Sequence, residues 1–200
     1  AIDFNLFKPD HSRKEYDFIY CGRLDQNKQI NLLIDAFYEM HKQNSALKLV
    51  LVGDGPEKKN LEVKVKTLNI NDNVTFAGRQ DYKNIPAFLN NSRIFVMASA
   101  FEGLPVAMLE ALSCGLPVVV PDIGDISDIA IHGYNAWLVY DRSQNAYVNA
   151  LSILINDNDL YEKLLRGALS TRKRFMSDFS NKAAKKSWMN ILHINDLTQT

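Results

Sequence analysis

Apolar positions along the chain switch repeatedly between strand-like and helix-like spacing. The run Asp17 to Gly22, apolar at Phe18-Ile19-Tyr20-Cys21, predicts a short buried strand closing on glycine. Ile30, Leu33, Ile34 and Phe37 then recur three and four residues apart, which predicts a helix ending near Lys42-Gln43-Asn44. Leu47 to Val52 is the next strand. The alternation continues through helix 57–68, strand 73–77, helix 83–90, strand 93–98, helix 105–114 and strand 117–120. A short helix near 126–131 and a strand at 136–140 complete it. Strands that are apolar on both faces and separated by single helices cannot pair as hairpins, so they predict parallel pairing through right-handed crossovers. The expected fold class is therefore α/β, a doubly wound parallel sheet. From Ser143 the pattern is helical only, over 143–156, 158–175 and 180–195, with Leu151, Leu154 and Ile155 marking an apolar face. Trp188, Ile191, Leu192 and Ile194 place the last helix along or beyond the edge of the sheet. This divides one domain, 1–200, into a leading linker (1–16), a sheet core (17–142) and a helical tail (143–200).

Composition narrows the partners. With 46% hydrophobic residues, the 200-residue chain can bury one substantial core. Lys+Arg and Asp+Glu both number 23, so no global field attracts nucleic acid and any phosphate recognition is local. Cys21 and Cys114 lie far apart in apolar runs, which fits reduced thiols in a cytosolic protein. No metal-ligand spacing is present. Apolar runs such as Leu47 to Val52 and Leu116 to Val120 are far shorter than the roughly 20 residues that span a bilayer. Neither a signal peptide nor a transmembrane helix is expected.

In an open parallel sheet the ligand lies outside the carboxyl ends of the strands, so the loops after each strand carry the chemistry. Arg23 and Lys28 share the first of these loops, where two cations could converge on a diphosphate or simply be solvated. Gly53-Asp54-Gly55-Pro56 resembles the opening of a dinucleotide fingerprint, but position 58 is Lys where the third glycine belongs. A tight turn with Pro56 at the first helical position explains it equally well. Glu102 and Glu110 form a sharper pair. With Pro105 as first helical residue, Glu102 stays in the loop facing the crevice and Glu110 lies more than a turn inside the helix. Eight helical residues span about 12 Å, near the reach from a ribose to the sugar beyond a diphosphate. The amides of that helix's first turn, opened by Gly103, would face the phosphates. The plainer alternative is an acid favouring the helix dipole and an ordinary surface glutamate. His11, His41, His132 and His193 offer no catalytic arrangement.

Gly22-Arg23-Leu24 with Lys28, Val52-Gly-Asp-Gly-Pro56, Val74-Thr-Phe-Ala-Gly78, and Glu102 through Glu110 with Ala111, Gly115, Pro117 and Val118 resemble the family 4 (group 1) glycosyltransferases. The likeness covers nearly the whole chain, and Ile2-Asp3 through Phe7-Lys8-Pro9 resembles the stretch that leads into the second half of these enzymes. The resemblance implies a GT-B fold of two Rossmann-like domains, of which this chain matches the donor-binding second one. It implies a nucleotide-diphosphate sugar as donor substrate, retention of configuration, and no cofactor or obligatory metal. Arg23 and Lys28 would bind and stabilise the donor diphosphate, Glu102 would hold hydroxyls of the transferred sugar, and Glu110 would hold the ribose. Arg79 and Gln80 would border the base, with the amides around Gly103 and Leu104 close to the phosphate and sugar. The acceptor, a glycan or lipid-linked molecule in polysaccharide or lipopolysaccharide assembly, would meet the N-terminal acceptor domain, so the 200 residues alone are expected to be inactive. Gln29, Ala98, Asp125 and Ala136 depart from residues common in the family.

A nucleotide-binding module without transfer activity would share the fold, but its glycine-rich turn belongs after the first strand, where this chain has Arg23 and Lys28. Arg172, Lys173, Arg174, Lys182, Lys185 and Lys186, near Phe175, Phe179 and Trp188, form a basic stretch that could lie on anionic lipid or be a solvated helical face. The expected setting is the cytoplasm, with peripheral contact at the inner face of the membrane as the lipid-bound variant.

Overall fold

The computed structural model describes residues 2–10 and 14–178. Six strands, β1 (Tyr16–Cys21), β2 (Leu49–Val52), β3 (Val74–Gly78), β4 (Ser92–Val96), β5 (Val118–Pro121) and β6 (Ala136–Val139), form one parallel sheet in the order β3-β2-β1-β4-β5-β6. Helices α1 (Ile30–Gln43), α2 (Lys58–Thr67), α3 (Ile85–Asn90), α4 (Val106–Ser113), α5 (Gln144–Asn156) and α6 (Asn158–Asp178) complete it. The sheet is Rossmann-like and doubly wound.

The period of two in the strands sorts their side chains onto two cores. Phe18, Tyr20, Leu49 and Leu51 face Leu33, Ile34 and Phe37 of α1, Leu61 of α2 and Leu151 of α5. Ile19, Val50, Val52 and Phe95 face Leu89 of α3, Met108 and Leu112 of α4, and Phe175 of α6. Because both faces are covered, β2 is apolar throughout and β4 is apolar from Ile94 to Val96. The winding reverses between β1 and β4, and the crevice at their carboxyl ends is the topological switch point.

Several boundaries differ from the sequence expectation. Pro105 keeps an extended backbone (ψ 117°) and caps α4 rather than opening its first turn. Pro56 stands in a turn ahead of α2, which begins at Lys58. The helix expected near 126–131 is a single 3-10 turn, Ile126–Asp128. Leu47 is buried but precedes β2. The helix expected at 180–195, with Lys182, Lys185 and Lys186, lies outside the described residues. Among the described residues no helix is long and apolar enough to cross a membrane.

The Gly-Asp-Gly turn serves packing between loops. Glu57 N–H donates to the Leu24 carbonyl and Leu24 N–H to that of Asp54, both at 3.0 Å, which draws the turn against the loop after β1. A Cβ at Gly53 would lie 1.8 Å from the Gly22 carbonyl oxygen, and one at Gly55 2.2 Å from that of Leu24. Backbone on both sides leaves nothing to yield. Gly55→Ala is expected to cost about 2–4 kcal/mol, lowering the melting temperature by roughly 5–10 °C in a calorimetric scan.

Candidate functional site

Two adjoining hollows open at the switch point. The larger, about 610 Å³, is lined by the carboxyl ends of β1 and β2 and the loops after them, with Arg79 and Gln80 after β3 and Ile85 at the start of α3. The smaller, about 380 Å³, is lined by Lys28, Glu102, Leu104 and the start of α4. Cys21, Gly22 and Arg23 belong to both walls, so the two form one elongated crevice. Each hollow falls within the volumes typical of small-molecule sites.

At the smaller end the structure brings Lys28 and Glu102 together. The Lys28 ammonium lies 2.5 Å from Glu102 Oε1, and the side chains are 23% and 11% exposed, so the pair is largely shielded from water. Ser99 Oγ donates to the same oxygen at 2.6 Å. Lys28 is aimed by its turn: Asp25 caps Gln26–Lys28 by accepting from Lys28 N–H, and Gln29 then turns left-handed (φ 49°) into α1. Asn27 ties this turn to the loop carrying Glu102, donating to the Phe101 carbonyl at 3.0 Å and accepting from Phe101 N–H at 3.1 Å. Its own carbonyl accepts from Ala100 N–H, and Arg142 donates to the Ala100 carbonyl. From the far side Gly124, with φ +54°, packs where a Cβ would stand 2.0 Å from the Glu102 carbonyl oxygen.

Arg23 sits on the shared wall. Its side chain is 71% exposed, with Nε 3.3 Å from Asp25 Oδ2, and the Tyr20 hydroxyl donates to its carbonyl at 2.8 Å. Gly103 is exposed, and Leu104 lines the smaller hollow beside Val106 and Ala107 of the first turn of α4. Arg79 and Gln80 lie at the opposite end, Gln80 held by donating to the Ala77 carbonyl at 2.6 Å.

Glu110 lines neither hollow. It is 6% exposed, next to Cys21 of the crevice wall. Burial pushes its carboxyl up to about 7, against the opposing effect of the nearby Tyr82 hydroxyl. Burial, with the nearby Glu110 carboxylate adding to it, also pushes the Cys21 and Cys114 thiols up to about 12, so neither is a thiolate nucleophile at neutral pH. Both cysteines are free. Among the described residues no group of three or more His, Cys, Asp or Glu could hold a metal ion. Sequence reasoning missed Tyr20, Asn27, Ser99 and Tyr82. Asn27 and Ser99 stand in the strand-end loops, but their pairing across the crevice needs the fold.

The family of glycosyl transferases group 1 matches the chain over residues 1–170. The chain belongs to this family. It is 29% identical over 168 residues to N-acetyl-alpha-D-glucosaminyl L-malate synthase of Bacillus anthracis, covering 84% of this chain and 43% of that protein. The chain spans about half, or less, of the length of the curated relatives it matches. In structure it resembles the C-terminal domain of a group 1 glycosyl transferase (LpcC) from Francisella tularensis, with TM-score 0.80, 24% identity, and coverage of 90% of this chain and 100% of that one. It also resembles the pneumococcal O-GlcNAc transferase GtfA, solved with UDP and GlcNAc, at TM-score 0.82 and 23% identity, covering 94% of this chain and 38% of that one. The fold of this family member is thus that of a GT-B C-terminal domain.

Proposed function

We propose that this chain is the donor-binding half of a retaining glycosyltransferase, and that its crevice holds a uridine diphosphate sugar. The shielded Lys28–Glu102 pair at the switch point carries the reading, because it sets one cation and one carboxylate within a single ligand's reach. The base takes the end bordered by Arg79 and Gln80, and the sugar takes the end bordered by Glu102 and Leu104. The diphosphate crosses the shared wall at Arg23, with the amides near Gly103 beside it. UDP in the GtfA structure and in that of Anabaena Alr3699/HepE supports a uridine nucleotide.

Transfer breaks the bond between the anomeric carbon and the diphosphate oxygen, and the electron pair leaves with the diphosphate. Lys28 and Arg23 stabilise that growing negative charge in a site whose geometry is already set. Glu102, still held by Ser99, accepts from hydroxyls of the sugar and fixes its orientation. Glu110 accepts from the ribose hydroxyls once Cys21 and its surroundings admit them. The acceptor, a glycan or lipid-linked molecule, is presented by the other half of the full-length protein.

Calorimetric titration of the chain with UDP, UDP-sugars, ADP and GDP tests this. Uridine nucleotides are expected to bind best, and Arg23→Ala combined with Lys28→Ala to weaken them at least about tenfold. Equal binding of purine nucleotides would displace the uridine assignment. Binding unaffected by the double substitution would displace the diphosphate site.

A further inference from the structure

Glu102 stands on an irregular loop, residues 97–105, between β4 and α4. From Ala100 to Leu104 every residue but Glu102 is exposed, Phe101 to 74%, so hydrophobic packing does little to set where the carboxylate lies. Polar contacts set it instead. Asn27, in the turn before α1, spends its whole carboxamide on one residue: Nδ2 donates to the Phe101 carbonyl at 3.0 Å and Oδ1 accepts from the Phe101 N–H at 3.1 Å. Its backbone carbonyl accepts from the Ala100 N–H at 2.7 Å. The next residue along one segment is Lys28 and along the other Glu102, and these two meet at 2.5 Å. The bracket at 27 and 101 is thus one rung of a short ladder whose following rung is the ion pair.

We propose that Asn27 is a positioning residue for the Lys28–Glu102 pair: by bracketing the Phe101 backbone it fixes the register in which ammonium and carboxylate face one ligand. The inference rests on the donor-site reading of that pair. The residue type is what the geometry demands. A carboxamide holds a donor and an acceptor on one plane and can meet a backbone N–H and C=O together, whereas aspartate, of nearly the same shape, has no donor for the Phe101 carbonyl. Ser99 holds Glu102 from within its own loop, and Arg142 donates to the Ala100 carbonyl from beyond β6. Neither bond reaches the turn that carries Lys28; the Asn27 bonds do. Because these bonds lie at the surface they add little to global stability, while a misplacement of about 1 Å at a reacting group can cost about 10²-fold in rate.

The test is calorimetric titration of the chain with UMP, UDP-glucose and UDP-N-acetylglucosamine, for the unaltered protein, Asn27→Ala, Glu102→Gln and the double variant. UMP fills the base and ribose end and stops at the first phosphate, so the affinity gained by the better-bound UDP-sugar over UMP reports the end where Lys28 and Glu102 stand. Asn27→Ala removes the carboxamide and keeps the backbone bond to Ala100. It is expected to lower that gain about fivefold, to leave UMP affinity within about twofold, and to hold the melting temperature within about 2 °C. In the Glu102→Gln background the loss from Asn27→Ala should shrink below about twofold, because the position it controls no longer bears a carboxylate. Equal weakening of UMP and UDP-sugar, or losses that simply multiply in the double variant, would make Asn27 a general support of the turn and overturn the proposal. If Glu102→Gln lowers the gain while Asn27→Ala leaves it intact, the Asn27 inference alone falls. If neither UDP-sugar gains over UMP, or Glu102→Gln leaves the gain unchanged, the donor-site reading of the pair falls and takes this inference with it.

Discussion

Lys28→Ala is expected to abolish most glycosyl transfer by the full-length protein, by roughly 10²–10³-fold, since in the proposed donor site Lys28 sets a preorganised charge against the diphosphate at the moment the glycosidic bond breaks. The same substitution should destabilise the chain. The Glu102 side chain is only 11% exposed, and without Lys28 it keeps the Ser99 hydroxyl as its remaining side-chain partner. Stranding a shielded carboxylate in this way costs about 1–3 kcal/mol. Loss of transfer through unfolding and loss through chemistry are separated by the double variant Lys28→Ala, Glu102→Gln. Removing the orphaned charge should recover much of the stability in a thermal melt, while transfer stays at or below the level of the single variant. Recovery of both would make the pair a structural clamp between the loops after β1 and β4. Recovery of neither would mean that Lys28 is needed for the turn itself, a role that the Asp25 cap and the Asn27 bonds otherwise fill.

That pairing illustrates which features were readable along the chain and which were not. Local period fixes local structure, so Ile30, Leu33, Ile34 and Phe37 announced α1, and Phe18-Ile19-Tyr20-Cys21 announced β1. Parallel order followed from strands such as Leu49–Val52 having no polar face. The ion pair joins residues 74 positions apart, and no periodicity records that separation. Gly53 and Gly55 were visible as a motif, yet what they approach is the backbone of Gly22 and Leu24, which only the sheet order brings beside them. The burial of Glu110 was unreadable for a different reason. A glutamate on the second turn of a helix is ordinarily solvated, and only the packing of α4 under Cys21 and Tyr82 buries it. Polar residues whose burial contradicts their type mark the places where local rules and function diverge.

Glu110 carries that divergence into a measurable trade-off. Its carboxyl is pushed from the ordinary 4.5 up to about 7 by burial, so the folded chain holds this proton over a range in which the unfolded chain has released it. The native state binds more protons there, and stability must fall as pH rises. The contribution is complete below about 4.5, declines through the window between the two values and is gone above 7, for a total of up to about 3 kcal/mol. In a chain of this size that corresponds to a fall of roughly 5–10 °C in melting temperature between pH 5 and pH 8 from this group. Glu110→Gln has nearly the same shape and no charge to desolvate. It is expected to melt at a higher temperature than the unaltered chain at pH 8, to differ little at pH 5, and to lose this part of the slope between them. The same variant should bind a UDP-sugar about 10- to 100-fold more weakly at pH 8, since the amide can accept from one ribose hydroxyl through its oxygen but presents donors on its nitrogen. Gain in stability with loss of affinity would be the signature of a carboxylate kept buried at a cost because its charge is needed for ligand. If the variant gains stability and binds unchanged, Glu110 is a packing residue of α4, and the ribose is held elsewhere along the crevice wall.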